Sequence, residues 1–114
     1  MPFLKVHTNK TERINKGFLT ETTRFLAELL GKPEKVVMIK METGSDMTFG
    51  GTTEATALAE LKSIGLPEDQ TQAYAEKLSG YLSKQLDIPE ERIFITFSSF
   101  ERHMWAWKGK TFAG

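Results

Sequence analysis

The chain is 114 residues long, which is enough for one hydrophobic core and too short for two independent ones. Its 39% hydrophobic and 11% aromatic residues exclude a disordered chain. With 15 basic and 15 acidic residues, it has no net field to attract nucleic acid or an acidic membrane. We therefore expect one soluble domain over residues 1–114, with no nucleic-acid or membrane partner.

The sequence contains no cysteine, which excludes disulfides, thiolate metal sites and thiol redox motifs. Lys5 and Lys10 interrupt the start of the chain, so no secretory signal peptide is expected. No run approaches about 18 apolar residues, the length that spans a bilayer. The expected location is cytoplasmic, and export without a leader stays open.

The first half of the chain predicts a strand, a helix and a second strand. Residues 3–8 are a short β-prone run that ends in the polar cluster of residues 9–16. From Phe18 onward apolar residues recur at helical spacing, until Gly31 supplies a stop and Pro33 prevents continuation. Residues 35–41 are β-branched and apolar and too few for a helix, so they predict a strand.

The second half predicts the same order of elements. Residues 58–64 form a strand that Gly65 and Pro67 break, and the two acidic residues after Pro67 suit the first turn of a helix. The apolar stripe of this helix runs to Leu86, and residues 92–97 form the last strand. Short runs at residues 48–49 and 105–107 are interpreted as extra edge strands between copies of the chain.

These two halves, about 1–57 and 58–114, are related by an internal repeat at an offset of 56 residues. Each half is therefore predicted to be the same β-α-β unit. The matched pairs are Phe18/Tyr74, Phe25/Tyr81, Leu26/Leu82, Leu30/Leu86, Pro33/Pro89, Glu34/Glu90, Val37/Ile93 and Ile39/Ile95.

The connections between the strands determine the predicted sheet. Two crossovers imply two parallel strand pairs in one sheet, with both helices on one face. The predicted fold is α/β (α+β), a pseudo-symmetric β-α-β-β-α-β subunit with a four-stranded mixed sheet. Apolar residues on the other face would need a cover, which predicts a homo-oligomer. The residues expected there are Phe3, Met38 or Ile39, Leu61, and Phe94 or Ile95.

Residue spacing argues against three common kinds of site. His7 and His103 have no HExxH or cysteine companions, so a zinc site is not expected. No acid is spaced to orient His103 beside the serines of residues 98–99, which are interpreted as a strand end running into a loop. Residues 50–53 lack the lysine of a phosphate loop and predict a turn. Neither a metal nor a cofactor is expected.

The amino terminus offers different chemistry. Met1 precedes Pro2, a small residue after which initiator methionine is normally removed, so the mature chain would begin with a secondary amine. Burial or a nearby cation such as Lys32 would lower the pKa of this amine from about 8. An unprotonated amine can move a proton between the carbon and the oxygen of a ketone, which is tautomerisation. On these residues alone, a Met-Pro start without a chemical role stays open.

Short motifs along the whole chain occur together in one order: Pro2, Thr8-Asn9, Gly17-Phe18-Leu19, Gly31-Lys32-Pro33, Phe49-Gly50-Gly51, Ser63-Ile64-Gly65, Arg92, Trp107 and Thr111-Phe112-Ala113. They resemble the macrophage migration inhibitory factor family, with one residue missing between Asn9 and Gly17. The resemblance implies a homotrimer whose sheets enclose a central channel, with tautomerase sites at the subunit interfaces.

The resemblance also implies roles for single residues. Pro2 would be the general base, Lys32 would bind the substrate carboxylate or enolate, and the Ile64 backbone amide would donate to the same end. The pocket-lining residues would be Ser63, Phe3, Met38 and Phe112, with Trp105 and Trp107 as an aromatic wall. Trp105 stands where the family often has a smaller aliphatic residue. Taken alone, the apolar members equally suit a core, and Lys32 suits the end of a helix.

Two single positions and one four-residue segment depart from the family pattern in ways that bear on function. Phe94 replaces the usual interface tyrosine, and Thr96 replaces a nearby asparagine. Because the phenolic donor is lost, we expect phenylpyruvate to be preferred over its para-hydroxy analogue. Residues 56–59, Thr-Ala-Leu-Ala, replace the Cys-x-x-Cys of the best-known family member, which excludes a thiol oxidoreductase.

Two functions follow from the resemblance. The first is a cofactor-independent keto-enol tautomerase, an isomerase acting on small aromatic α-keto acids such as phenylpyruvate, with dopachrome isomerisation as an assay activity. The alternative is a cytokine-like receptor-binding protein with vestigial tautomerase activity. The shortened segment of residues 10–16 and the changed interface residues give this alternative less support.

Overall fold

The computed structural model describes all 114 residues as a mixed four-stranded sheet with two helices. The elements are β1 (Phe3–Thr8), α1 (Lys16–Leu30), β2 (Met38–Glu42), β3 (Ala57–Ile64), α2 (Thr71–Leu86), β4 (Ile93–Phe100), β5 (Ala106–Trp107) and β6 (Lys110–Thr111). The strand order is β2-β1-β3-β4, with parallel outer pairs and an antiparallel central pair. The predicted fold class and the β-α-β-β-α-β order are confirmed. No helix combines the length and apolar character that crossing a membrane requires.

The core lies between the sheet and the helices. Alternate residues of β1 and β3 are buried because successive side chains of a strand point to opposite faces. Leu26 of α1 and Leu78 and Leu82 of α2 are wholly buried against them. The strand residues of this core are Leu4, Val6, Ala57, Ala59, Leu61 and Ile93.

The face of the sheet that points away from the helices is here called the open face. Leu61 was predicted to lie on this face but does not. That side chain is wholly buried in the core, so its predicted place on the open face is wrong. The alternation of β3 turns Leu61 toward the helices and leaves Glu60 and Lys62 on the other side. On the edge strands, Met38 is 63% exposed and Phe94 is 58% exposed. Their alternatives Ile39 and Ile95 pack against the core.

The middle of the open face is charged. His7 Nδ1 lies 3.0 Å from Glu42 Oε2, and His7 Nε2 lies 2.9 Å from Glu60 Oε2. The hydrogen bond from His7 lowers the pKa of Glu60, against an opposing effect of burial. Burial raises the pKa of Glu42, but the charges of Lys5, Lys40 and His7 outweigh it and lower that pKa. This network joins the three strands β2, β1 and β3 through side chains as well as backbone.

Two strand boundaries differ from the prediction. β2 begins at Met38 rather than residue 35, because Pro33 is followed by a 3-10 turn over Glu34–Val36. β4 continues to Phe100 rather than residue 97, because it stays paired with β3 as far as Ile64. The serines of residues 98–99 therefore lie within the strand, and the expected loop there is wrong.

The two short runs interpreted as edge strands form local structure within the chain. Phe49 makes an isolated bridge with Thr52 across a turn in which Gly50 and Gly51 both have positive φ, as the turn prediction required. The backbone of Ala106–Trp107 pairs with Lys110–Thr111 of the same chain. Arg92 donates from its guanidinium to the carbonyls of Phe49, Glu54 and Ala55, which secures the 49–55 segment.

The internal repeat is visible in the packing of equivalent residues. The helices end at Leu30 and Leu86, and the 3-10 turns that follow them span Glu34–Val36 and Glu90–Arg92, each pair offset by 56 residues. The equivalent rings of Phe25 and Tyr81 stack on each other at 4.0 Å between centroids. The two helices therefore contact each other through residues at equivalent positions of the repeat.

Candidate active site

Pro2 lies buried at the start of β1, where its carbonyl accepts a 3.0 Å hydrogen bond from the Met38 N–H. The register between β1 and β3 pairs Phe3 with Lys62. Continuing it brings Pro2 beside Ser63 and Met1 beside Ile64. With Met1 attached, the Pro2 nitrogen is an amide, and only removal of Met1 makes it a secondary amine.

A cavity of about 630 Å³ opens at this end of the sheet. It is bordered by the chain terminus, the end of α1, the ends of the parallel strands β3 and β4, and the C-terminal segment. Its lining residues are Met1, Lys32, Ile64, Gly65, Ser99, Phe100, Glu101, Arg102 and Phe112. A volume of this size fits a small organic molecule.

Lys32 reaches the cavity because of how α1 ends. Gly31 adopts a left-handed conformation with φ 64°, and the Lys32 N–H donates to the Ala27 carbonyl at 2.9 Å. This cap turns the chain away from the helix and exposes Lys32. Lys32, Ser63 and Ile64 also border a smaller cavity of about 110 Å³.

The environment of the terminus favours a neutral amine. Burial is the largest cause that lowers the pKa of the Met1 amine from its ordinary value of 8.0, and the charges of Lys32 and Arg102 lower it further. Each of these effects penalises the protonated form. A nitrogen in this place is therefore more available as a base at neutral pH than an exposed terminus.

The C-terminal segment closes one side of the cavity. The Phe112 N–H donates to the carbonyls of Arg102 and Trp105, both at 3.1 Å. The Trp105 ring packs edge-on against Phe100 with centroids 5.2 Å apart. Phe112 therefore lines the cavity directly, and Trp105 supports a lining residue.

The structure brings only some of the predicted site residues together. Pro2, Lys32, Ser63, Ile64 and Phe112 meet around the terminus. Phe3 and Met38 pair beside Pro2, and the Met38 side chain projects from the open face.

Phe94, Thr96 and Trp107 are not part of this group. Phe94 pairs with Leu58, about 20 Å along β3 from Ile64, and Thr96 pairs with Glu60, about 13 Å away. Phe94 instead packs edge-on against Phe49 at 4.7 Å. Trp107 lies 50% exposed on β5, with the Lys108 ammonium 4.6 Å from its ring centroid.

Four lining residues were not predicted from the sequence: Ser99 and Phe100 at the end of β4, and Glu101 and Arg102 directly after it. A longer β4 was the signal that could have found them, because parallel strands end at the same edge of a sheet. Because the strand was predicted to stop at residue 97, the sequence offered no reason to place residues 99–102 near Ile64.

A second cavity of about 570 Å³ lies at the opposite end of the sheet. It is lined by both cationic and acidic side chains, including Lys10, Arg13, Glu21 and Asp87. Lys10 Nζ already donates to the Leu86 carbonyl at 2.7 Å. None of the predicted site residues reaches this cavity.

These features describe a small α+β protein of two β-α-β units, with a buried proline after Met1 and a neighbouring cavity that Lys32 and Arg102 line. The sequence profile of the family described as macrophage migration inhibitory factor (MIF) matches residues 1–113, and the chain belongs to that family.

Relatives match over nearly their whole length. The chain is 37% identical to a macrophage migration inhibitory factor homolog of Brugia malayi, covering 98% of this chain and 99% of that one. It is 36% identical to the factor of Rattus norvegicus over 99% of this chain and all of the relative. Among solved structures, a homologue from Prochlorococcus marinus superposes with a TM-score of 0.90 at 38% identity, covering 97% and 99% of the two chains. The factor of Trichinella spiralis gives 0.92 at 28%, covering 96% and 99%.

Proposed function

We propose that this chain is a cofactor-independent keto-enol tautomerase that uses the amine of Pro2 as its general base. The observation that best supports this proposal is a partly buried chain terminus that lines the same cavity as Lys32, where the pKa of the terminal Met1 amine is lowered. Removal of Met1 transfers the free amine to Pro2, which is more deeply buried than Met1 and one residue from the nitrogen on which Lys32 and Arg102 act. The lowered pKa is therefore expected to carry over.

The reaction moves one proton from carbon to oxygen within the substrate and leaves its atomic composition unchanged. The neutral Pro2 nitrogen takes a proton from the carbon next to the keto group, and the C–H electron pair becomes a double bond to the keto carbon. The keto oxygen gains a negative charge, which Lys32 and the backbone amide of Ile64 are proposed to stabilise. The protonated amine then gives its proton to this oxygen, and the enol leaves.

A second copy of the chain is proposed to complete the site. Phe94 and Thr96 lie too far from Pro2 to reach a substrate bound in the same subunit. Both are exposed on the edge strand β4, and Met38 is exposed on the opposite edge strand β2. In the proposed homotrimer these edges meet, and a neighbour supplies Phe94 and Thr96. A purified protein that sediments as a monomer at micromolar concentration contradicts this part of the proposal.

The test of the general base compares two changes at the terminus. Pro2→Gly alters the amine, and an alanine inserted between Met1 and Pro2 keeps the proline ring but acylates its nitrogen. Each is expected to lower kcat/KM for phenylpyruvate by roughly 10²- to 10⁴-fold, the contribution of a positioned general base. Intact mass spectrometry must first establish that Met1 is removed.

The matched control is Pro33→Ala, which changes a proline outside the cavity and is expected to retain turnover. Sedimentation of each variant checks that assembly is unchanged. For the unaltered protein, kcat/KM is expected to rise with pH as the Pro2 amine loses its proton, because the neutral amine is the active form, and to level off at a lower pH than the pKa of an exposed prolyl amine. A Pro2→Gly variant with full turnover refutes the proposal.

The proposed substrates are small aromatic α-keto acids. Phe94 offers a ring face without a phenol, and Thr96 offers only a short hydroxyl. A para-hydroxyl on the substrate would lack a partner, which costs about 1–3 kcal/mol. We expect a higher kcat/KM for phenylpyruvate than for para-hydroxyphenylpyruvate, measured by enol absorbance; equal values contradict this preference.

The signalling alternative rests on the name of the relatives rather than on a surface of this chain. The receptor-binding role stays a prediction from the resemblance. Receptor binding by the Pro2→Gly variant separates the two functions, because a signalling protein would keep its binding when turnover is lost.

A further inference from the structure

Lys32 and Arg102 are the two side-chain cations of the cavity, and neither has a carboxylate partner. The ion pairs of the chain involve His7, Lys10, Lys40 and His103. Glu101 is the only acid among the nine lining residues, and its carboxylate lies 3.5 Å from His103 Nε2. The cavity therefore offers two positive charges to an anionic ligand.

Arg102 is held in place by one edge of its guanidinium. Its Nε donates to the Phe112 carbonyl at 2.9 Å, and the Phe112 N–H returns a hydrogen bond to the Arg102 carbonyl at 3.1 Å. The two Nη groups make no hydrogen bond within the chain. They are thus oriented in advance and available for the two oxygens of a carboxylate.

Both cations act on the chain terminus, since the charges of Lys32 and Arg102 each lower the pKa of the Met1 amine. Met1, Lys32 and Arg102 also line the same cavity, so Arg102 lies near the terminus, one residue from the Pro2 nitrogen that is proposed to react. A cation that lines this cavity can contact a substrate whose reacting carbon lies against that nitrogen.

The proposed reaction presents two negative charges to these two cations. An α-keto acid carries one on its carboxylate from the start, and proton removal creates another on the keto oxygen. A guanidinium binds a carboxylate through two parallel hydrogen bonds, whereas an ammonium is a compact point charge.

We infer that Arg102 is a second substrate-binding residue, which holds the carboxylate of the keto acid while Lys32 faces the enolate oxygen. This inference rests on the proposed function and concerns the same cavity. It makes the carboxylate a requirement for binding, and the matching neutral ester a poor ligand.

The test uses phenylglyoxylate, an aromatic α-keto acid with no hydrogen on the carbon next to the ketone, so that binding is measured without turnover. Its Kd and that of its methyl ester are measured by calorimetry on the full chain without Met1. Arg102→Gln is expected to weaken phenylglyoxylate binding about tenfold and ester binding less than twofold. Arg102→Lys is expected to lie between, because it keeps the charge and loses the paired geometry.

Lys35→Gln is the matched control, because it removes a nearby exposed cation that does not line the cavity, and it should leave both Kd values unchanged. In turnover, Arg102→Gln is expected to raise KM for phenylpyruvate about tenfold with a smaller change in kcat. Thermal melting compares the stability of Arg102→Gln and Arg102→Lys. A structural role through Phe112 would lower both melting temperatures and weaken acid and ester binding equally.

Equal effects on acid and ester, unchanged binding in Arg102→Gln, or no binding of phenylglyoxylate to the unaltered protein would overturn the inference. The proposed function fails separately. If phenylpyruvate is not turned over but phenylglyoxylate binding depends on Arg102, the tautomerase is refuted and the carboxylate site stands.

Discussion

The two β-α-β units end their helices with the same backbone but present different side chains there. After α1 the chain reads Gly31-Lys32-Pro33, and after α2 it reads Asp87-Ile88-Pro89, offset by 56 residues. Gly31 and Asp87 both have left-handed backbones, with φ 64° and 56°. Lys32 is exposed beside the cavity, whereas Ile88 is 2% exposed in the core. One position of the repeat thus serves a candidate site in one unit and packing in the other.

The surroundings of the two helix ends explain this difference. At the end of α2, Lys10 Nζ donates to the Leu86 carbonyl and the Ser83 hydroxyl donates to the Ile88 carbonyl. At the end of α1, no side chain donates to Leu30 or Lys32. The first unit therefore leaves its helix end open to a ligand, and the second closes it with hydrogen bonds.

The strongest test of this comparison truncates the equivalent side chains. Ile88→Ala is expected to lower the free energy of unfolding by about 3 kcal/mol, because it leaves a cavity in the core. Lys32→Ala is expected to change stability by less than about 0.5 kcal/mol, as exposed positions do, and to lower kcat/KM for phenylpyruvate at least about tenfold. Urea unfolding measures the stability and enol assays measure the turnover. A stability loss of similar size in both variants would contradict the assignment of packing to Ile88 and of a site role to Lys32.

A smaller effect is expected from exchanging the residues at the left-handed positions. Gly31→Ala should destabilise the protein by about 1 kcal/mol through backbone strain alone, because an added Cβ meets no atom within 4 Å. Asp87→Gly should have the opposite sign and stabilise by about 0.5 kcal/mol. Thermal unfolding at one pH checks both. If Gly31→Ala is neutral, strain does not determine the residue at this position.

The smallest effect concerns the junction of the two units, where His7 of β1 meets Glu60 of β3. The hydrogen bond from His7 lowers the pKa of Glu60 below its ordinary value of 4.5. Its stabilising contribution is therefore present above pH 4.5 and is lost as the pH falls through the lowered pKa. His7→Asn should make the free energy of unfolding less dependent on pH in this acid range. Glu60→Gln is the matched variant, and the two changes together should add little to either one.

Local sequence patterns predicted the helices and strands well. They predicted less well which strand residues lie on which face of the sheet. Helical spacing located the apolar stripes of α1 and α2, and the repeat located their common end. Leu61 was assigned to the wrong face, because apolar character alone does not reveal the phase of a strand when its other face also carries Leu58 and Ile64. β4 was predicted too short, since Ser98 and Ser99 look like a strand end until their pairing with β3 is known.

The candidate site was predicted from a resemblance more than from periodicity. Lys32, Ile64 and Phe112 were named in advance and line one cavity, and Pro2 follows Met1 at its border. Arg102 was missed, because its segment follows β4 and has no pattern of its own.

The sequence by itself determined the order of strands and helices and the end of α1 at Gly31, because these depend on residues within a few positions of one another. It also revealed the repeat, because the two halves carry similar residues at one constant offset. Only the tertiary structure decided which distant residues meet. The antiparallel register of β1 on β3 brings the terminus to Ile64, and the parallel pairing of β3 with β4 brings Arg102 to the same edge. Register depends on packing between segments far apart in the chain, which no local pattern contains.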